Sequence, residues 1–502
     1  MNAPINRRSF LRASSSALGL GGLSFLGSLP AVRAAETHLP PHAVRLDPGI
    51  EPLVRLIEST PRDRLLEEIG HRVRHGLPYR DVLASLLLAG VRNVQPRPVG
   101  FKFHCVLVVN SAHLASLASP DADRWLPIFW ALDYFKSSQA SDEAQGDWTL
   151  RAVDESALPP AHHARAAFTE AMDQWDVPAA DTAVAALART MPPMELFRLL
   201  AEYGARDYRD IGHKAIYVSN SWRTLQVIGW QHAEPVLRSL AYALLYHEGG
   251  NPARRDADAD RPGRVNQRRL DDIPADWQSG RRDSTASIDL LETLRQGSAD
   301  DAGGKVIELL RDGIGPGAVW DGLFQGVGEL LMRQPGIVSL HAATTTNALH
   351  YAWQQCDDDR LRRWLLLQNA SFLPMFRSDR RPGAAIRIDQ LESIPPRESG
   401  SRALEEIFSR IDGEPLTAAR MTLGWLRQGG DSGAFLDQAR RLVFLKGTNS
   451  HDYKFSSAVL EDFQHINPGL RDPYLAASVF QLRGSDAPDN RLVARTRAAL
   501  DS

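Results

Sequence analysis

The sequence predicts an all-α protein, and three features indicate it. Apolar residues recur at intervals of three and four along many segments, which is typical of amphipathic helices. Alternation of apolar and polar residues long enough for a sheet is scarce, and the nearest case, residues 106–109, lies in a helix-like context. The chain also resembles itself after a shift of about half its length, which favours an architecture of repeated helical units.

The N-terminal residues have the pattern of a targeting segment. Arg7 and Arg8 open the run Arg-Arg-Ser-Phe-Leu-Arg, an uncharged stretch rich in Gly, Ser and Leu follows, and Val-Arg-Ala ends at Ala34. This pattern predicts a twin-arginine signal peptide over residues 1–34. The alternative is a basic terminus before an anchor helix, but the apolar stretch is only moderately hydrophobic.

The export route implies a location and a first partner. The twin-arginine translocase would move the folded chain to the periplasm or outside the cell. No stretch after residue 34 approaches the roughly 20 apolar residues of a membrane span, so we expect no stable membrane anchor. Because the route carries folded proteins, and loading a cofactor in the cytoplasm is a common reason to use it, the signal favours a cofactor.

The composition argues against nucleic-acid binding and against a disulfide-stabilised fold. The 58 basic and 61 acidic residues nearly cancel, so no broad positive field points to nucleic acid as a partner. Cys105 and Cys356 are the only cysteines, and the sequence leaves open whether they pair. They cannot form a disulfide framework, so a metal site would rest on histidines and carboxylates.

The amphipathic segments divide the mature chain into two halves. We expect an N-terminal helical half over residues 35–250, a polar linker over 251–287 and a C-terminal helical half over 288–502. The clearest helical segments are residues 81–89, 193–203, 320–332 and 418–428.

The two halves are related in sequence. A shift of 237 places lays residues 74–113 on residues 311–350, and eight of the forty positions are identical, where chance gives about two or three. A shift of 238 relates His213 to His451. Third helical segments follow at residues 124–135, 233–246, 360–373 and 473–482. The sequence thus predicts four related three-helix units, arranged two by two in a pseudo-symmetric helical bundle or toroid.

One histidine opens the second helix of each unit: His104, His213, His341 and His451. Equivalent positions around a pseudo-symmetry axis converge on that axis, and four imidazoles near one point suit iron, copper, manganese or zinc. We expect a transition metal, iron or copper. The alternative is that these histidines only mark helix starts in repeated units.

A repeated His-x5-Asn-x2-His pattern adds candidates. His113 and His350 are further candidate metal ligands, and Asn110 and Asn347 are candidate catalytic or supporting residues. The two histidines of each pattern are nine residues apart, about 180° around an ideal helix. Both could reach one centre only if the first precedes the helix or the helix is irregular.

The turn around His451 supplies a candidate catalytic carboxylate, Asp452, with Lys454 close by. A carboxylate beside an imidazole can orient its tautomer or complete a metal site, but an exposed charged turn fits equally well. The sequence has no Walker loop, no His-Glu-x-x-His, no haem attachment motif, no nucleophile elbow and no dinucleotide fingerprint.

Two segments resemble the helical questin oxidase-like proteins: residues 340–350, Leu-His-Ala-Ala-Thr-Thr-Thr-Asn-Ala-Leu-His, and residues 446–454 with His451-Asp452-Tyr453-Lys454. This resemblance implies an oxygen-using oxidoreductase with these histidines near its site. The NADPH dependence of that family is not carried over, because the export signal directs the chain to a compartment without an NADPH supply.

The sequence therefore predicts an exported metal-dependent oxidoreductase with a histidine-lined centre that acts on oxygen or a small organic substrate. One alternative is a metal-free α/α-toroid enzyme acting on carbohydrate, such as a lyase. A deep cleft lined by Trp and Arg away from the histidines would favour it. Another is a non-catalytic helical scaffold, which scattered histidines without a cleft would favour.

Overall fold

The computed structural model describes residues 42–377 and 386–501, and across these residues the fold is helical with no β-strand. This confirms the all-α prediction. Residues 106–109, the nearest to a strand pattern, are helical or lie in a one-residue break between helices. The predicted signal peptide lies outside the described residues.

The helices of the N-terminal half are α1 Glu51–Ser59, α2 Arg62–Arg74, α3 Tyr79–Asn93, α4 His104–Leu107, α5 Val109–Ala118, α6 Leu126–Glu143, α7 Ala161–Gln174, α8 Val177–Thr190, α9 Pro193–Gly204, α10 His213–Ile228 and α11 Ala233–Leu244. The later helices are α12 Arg261–Arg269, α13 Ser284–Gln296, α14 Ala299–Arg311, α15 Pro316–Arg333, α16 Ile337–Gln355, α17 Asp359–Met375, α18 Ser401–Arg410, α19 Pro415–Arg427, α20 Ser432–Lys446, α21 Ser450–Asp462, α22 Pro468–Ser478 and α23 Leu492–Asp501. Short 3₁₀ turns occupy several of the connections between them.

Local sequence signals explain where several helices begin. Proline occupies the first turn of α9, α15 and α19, where its missing N–H costs nothing. The α21 helix begins with a capping box, in which the Asn449 side chain accepts a backbone N–H while Asp452 bonds back to the cap backbone. The four clearest predicted segments lie within α3, α9, α15 and α19, apart from one residue at the end of the last.

Four helices that contain or directly follow the four candidate histidines form a closed ring. Each packs against the next, in the order α5, α10, α16, α21 and back to α5. Polar side chains bond between helices of this ring and, in one case, to the adjoining α4: Asn220 Nδ2 to Leu107 O of α4 at 2.9 Å, Ser219 Oγ to Ala348 O at 2.8 Å, Asn347 Nδ2 to Asp462 Oδ1 at 2.8 Å and Ser457 Oγ to Ser111 Oγ at 2.9 Å.

The third helices predicted for the four units correspond to α6, α11, α17 and α22. In the fourth unit an additional helix, α20, lies between α19 and the helix of His451, so the units differ in their helix content. The contacts between helices establish the ring. The equivalence of four three-helix units stays a prediction.

The expected polar linker needs correction, because residues 251–287 are a packed part of the fold. They contain α12, and the side chains of Leu270, Ile273 and Trp277 are buried. Asn266 is fully buried, and its amide donates to Gln368 Oε1 at 2.8 Å and Ser371 Oγ at 3.0 Å. The segment therefore fastens to α17 by amide and hydroxyl contacts as well as by apolar ones.

Within the described part of the chain, no single helix is long and apolar enough to cross a membrane. One bent pair, Phe101–Leu107 followed by Val109–Ala118, meets the criteria of length and composition.

Candidate metal centre

The ring brings the four candidate histidines together at one place. Nε2 of His213 lies 2.9 Å from Nε2 of His104 and 2.9 Å from Nε2 of His341. One ring nitrogen each of His104, His341 and His451 lie within 4.8 Å of one another. The rings of His104 and His451 have centroids 4.6 Å apart. The four imidazoles therefore form one cluster, in which His104 and His341 lie close to both His213 and His451.

Backbone carbonyls fix the tautomers of three rings. In each of these rings Nδ1 faces a carbonyl oxygen three or four residues earlier: Phe101 O at 2.7 Å for His104, Asp210 O at 2.5 Å for His213 and Ile337 O at 2.7 Å for His341. Because a carbonyl can only accept, Nδ1 carries the proton and donates it. The Nε2 atoms of these rings are left with lone pairs directed at one another.

Lone pairs 2.9 Å apart repel unless a proton or a cation lies between them. Burial lowers the pKa of His104, His213 and His341 well below the usual 6.5, and the nearby Lys454 lowers the pKa further. A shared proton is therefore disfavoured. Two nitrogens bound to a metal at about 2.0–2.1 Å and roughly a right angle are about 2.9 Å apart, so the donor set fits a transition metal.

His451 forms the open side of the centre. Its side chain is only partly buried, whereas His104, His213 and His341 are 6%, 4% and 0% exposed. Burial and the charge of Lys454 lower its pKa to about 4, so its ring is neutral at pH 7. A neutral imidazole is the form that binds a metal.

Lys454 is the charged group nearest the centre. It lies one turn after His451 on α21, it is 2% exposed, and its Nζ is 3.5 Å from Nε2 of His213. Burial lowers the pKa of its amine to about 7. Its ammonium form opposes a second positive charge on any of the four rings.

Glycines allow the close approach of the segments that hold the histidines. Gly212 has φ +83°, and a Cβ there would overlap the side chain of Thr345 on α16. Gly100 has φ +128°, and a Cβ there would stand 3.2 Å from Cε1 of His213. These positions let the loops before α4 and α10 close on the imidazoles.

His113 and His350 do not join the centre, which corrects their assignment as metal ligands. Nδ1 of His113 lies 2.9 Å from the hydroxyl of Tyr79. His350 packs against the rings of Trp320, Phe324 and Trp353. The α16 helix is continuous from His341 to His350, and nine residues turn the second ring to the opposite face. A break at Val108 does separate His104 from His113, but His113 still faces Tyr79.

The candidate catalytic residues take structural positions. Asn347 donates to Glu461 Oε2 at 2.9 Å and to Asp462 Oδ1 at 2.8 Å, away from the four rings. Asp452 accepts from two cap N–H groups and pairs with Arg483 at 2.7 Å. These contacts give Asn347 and Asp452 positions in the packing of α16 and α21, and a catalytic role for either residue stays a prediction. Asn110 is buried on α5, two turns beyond His104.

Sequence reasoning missed two parts of the centre. Lys454 has no role at the centre in the sequence analysis, although its spacing of three residues from His451 on a helix is the signal that places both on one face. The carbonyls of Phe101, Asp210 and Ile337 carry no sequence signal, because every residue has one. Cys105 and Cys356 are both free and buried, so they are not paired with each other.

Comparisons with protein-family models, curated proteins and solved structures find no match to this chain.

Proposed function

We propose that this chain is a metal-dependent oxidoreductase whose four-histidine centre binds one first-row transition ion, iron or copper. The observation that supports the proposal is the convergence of neutral imidazoles with their Nε2 lone pairs directed inward. His104 and His341 would be the central ligands, since both close sets of nitrogens include them, and His213 and His451 would complete the set.

The type of ligand is compatible with oxidative chemistry. Among the described residues, the metal-ligating cluster consists of histidines and includes no carboxylate or thiolate. Neutral ligands offset less of the charge of an oxidised ion than anionic ligands do, so the oxidised ion is the stronger oxidant. When bound, the metal would supply a centre that accepts electrons from substrate or delivers them to oxygen. The protein's own residues would orient the rings and keep them neutral.

A redox titration of protein exported in its native host tests this proposal. We expect the metal signal in electron paramagnetic resonance to change on reduction with dithionite and to return when air is admitted. The His104→Ala variant should lose the signal. The His113→Ala variant is the matched control, because it also removes a buried histidine after α4 and should keep the signal. If the unmodified protein binds a metal whose paramagnetic resonance signal changes neither with dithionite nor with air, the oxidative assignment is ruled out.

The carbohydrate-enzyme alternative has less support. A surface cleft of about 460 Å³ lies away from the histidines, between Arg281, Asp289 and Ile314. No aromatic side chain lines it, so it lacks the stacking platform that a sugar ring would use.

A further inference from the structure

An apolar edge lies beside the histidine centre. Among the described residues five large apolar side chains are exposed, and three of them immediately precede histidines of the centre. Phe101 is 73% exposed and stands three residues before His104. Ile337 and Val338 are 52% and 41% exposed and stand four and three residues before His341. We call Phe101, Ile337 and Val338 the apolar lip.

The lip is in direct contact with the centre through its backbone. The carbonyls of Phe101 and Ile337 accept the Nδ1 protons of His104 and His341, so these residues flank the two central rings. The two parts of the lip occupy corresponding places before the two histidines. The exposed side chains of Phe101 and Ile337 therefore belong to residues that adjoin the two central rings.

Single exposed apolar residues are common and need no explanation. Phe101 differs, because its φ of +48° is a left-handed conformation that an aromatic residue rarely adopts. Its ring is mostly in water, so packing within the fold does not offset that strain. A strained residue beside a candidate site points to a role in binding.

Charges near the lip are paired or buried. Lys102, next to Phe101, forms an ion pair with Asp142 at 2.7 Å. Asp452 near His451 is paired with Arg483. Lys454 is buried. The side chains of the lip are therefore apolar, and the cations nearest to the centre are Lys454 and the proposed metal ion.

We infer that the apolar lip binds the apolar part of a small organic substrate and presents that substrate to the histidine centre. The inference rests on the proposed function and names its substrate class. The occupant is a small molecule, because His104 and His341 are recessed to 6% and 0% exposure and a folded partner could not reach them.

Binding of 2-naphthol, an uncharged aromatic probe, to the native metal-loaded protein tests the inference. Its fluorescence should titrate with wild-type protein, because its rings gain apolar contact with the lip. Phe101→Asn keeps a residue that tolerates positive φ, and Ile337→Thr keeps a branched side chain. Together they should weaken 2-naphthol binding about tenfold or more by removing apolar contact.

Leu117→Thr is the matched control, since Leu117 is 63% exposed but lies at the far end of α5. It should leave probe binding unchanged. Metal content is measured on every variant, so a failure of the metal proposal is seen separately. Absent 2-naphthol binding by metal-loaded wild type, or equal binding by wild type and the double variant, would overturn the inference.

Discussion

The chemistry of the centre is decided by single atoms. The spacing of the four histidines allowed their convergence to be predicted from the sequence. The direction of each Nε2 could not be predicted, because it depends on a hydrogen bond from Nδ1 to a backbone carbonyl such as Phe101 O. Every residue has such a carbonyl, so the residue type gives no signal. The burial of Lys454 could not be predicted either, because a lysine close to other polar residues in the sequence is usually solvent-exposed.

Neutral buried histidines make the metal-free protein sensitive to acid. His451 has a pKa of about 4 in the folded protein and about 6.5 when unfolded. The unfolded chain therefore binds more protons between these values, and the stability contribution present above pH 6.5 is lost as the pH falls toward 4. We expect this ring to account for about 2 kcal/mol of lost unfolding free energy between pH 6.5 and pH 5.

Urea unfolding of metal-free protein at pH 6.5 and pH 5 measures this effect. His451→Gln removes the titrating ring and should reduce the loss by about that amount. An unchanged loss in His451→Gln would show that His451 does not titrate in this way.

The helices position the histidines of the centre, and the sequence predicts the limits of several of these helices. The limits of α9 agree with the predicted segment because Pro192 and Pro193 open it and the apolar pattern ends at Gly204. Residues 251–287 were misjudged because α12 packs through Pro262, Gly263 and Asn266, which leave no apolar periodicity to detect. The contact of Gly212 with Thr345 was equally invisible, since it joins residues far apart in the chain.

The approach of α10 to α16 depends on Gly212. Gly212→Ala would place a methyl group into the side chain of Thr345 at a residue with φ +83°. We expect a loss of roughly 1–3 kcal/mol in unfolding free energy beyond the cost of the left-handed backbone. Gly76→Ala is the control, because Gly76 has φ +93° and nothing lies within 4 Å of its Cβ position. Equal losses in urea unfolding would mean that the contact with Thr345 is unimportant.

At the scale of the whole molecule, the structure joins both halves in one ring, and the core runs through both. From the sequence repeat, we predicted that histidines from both halves would lie at one centre. The repeat did not predict which helices would be neighbours, because packing order depends on contacts between distant segments. The ring order of α5, α10, α16 and α21 supplies that information.

Export concerns residues outside the described ranges and stays a prediction. Replacing Arg7 and Arg8 by Lys should leave the precursor in the cytoplasm, because the translocase reads the paired guanidinium groups and not charge alone. Arg12→Lys is the control and should be exported normally. Cell fractionation followed by immunoblotting measures both, and export of the double variant at the normal rate would refute the twin-arginine assignment.

Metal analysis combined with X-ray absorption on protein exported in its native host tests the central claim most directly. The account predicts about one iron or copper per chain, with imidazole nitrogens at about 2.0–2.1 Å and no sulfur ligand. His341→Ala should lose the metal, while His350→Ala, a change to another buried histidine on the same helix, should keep it. Wild-type protein that is folded and free of metal, or a metal retained in full by His341→Ala, would contradict the account.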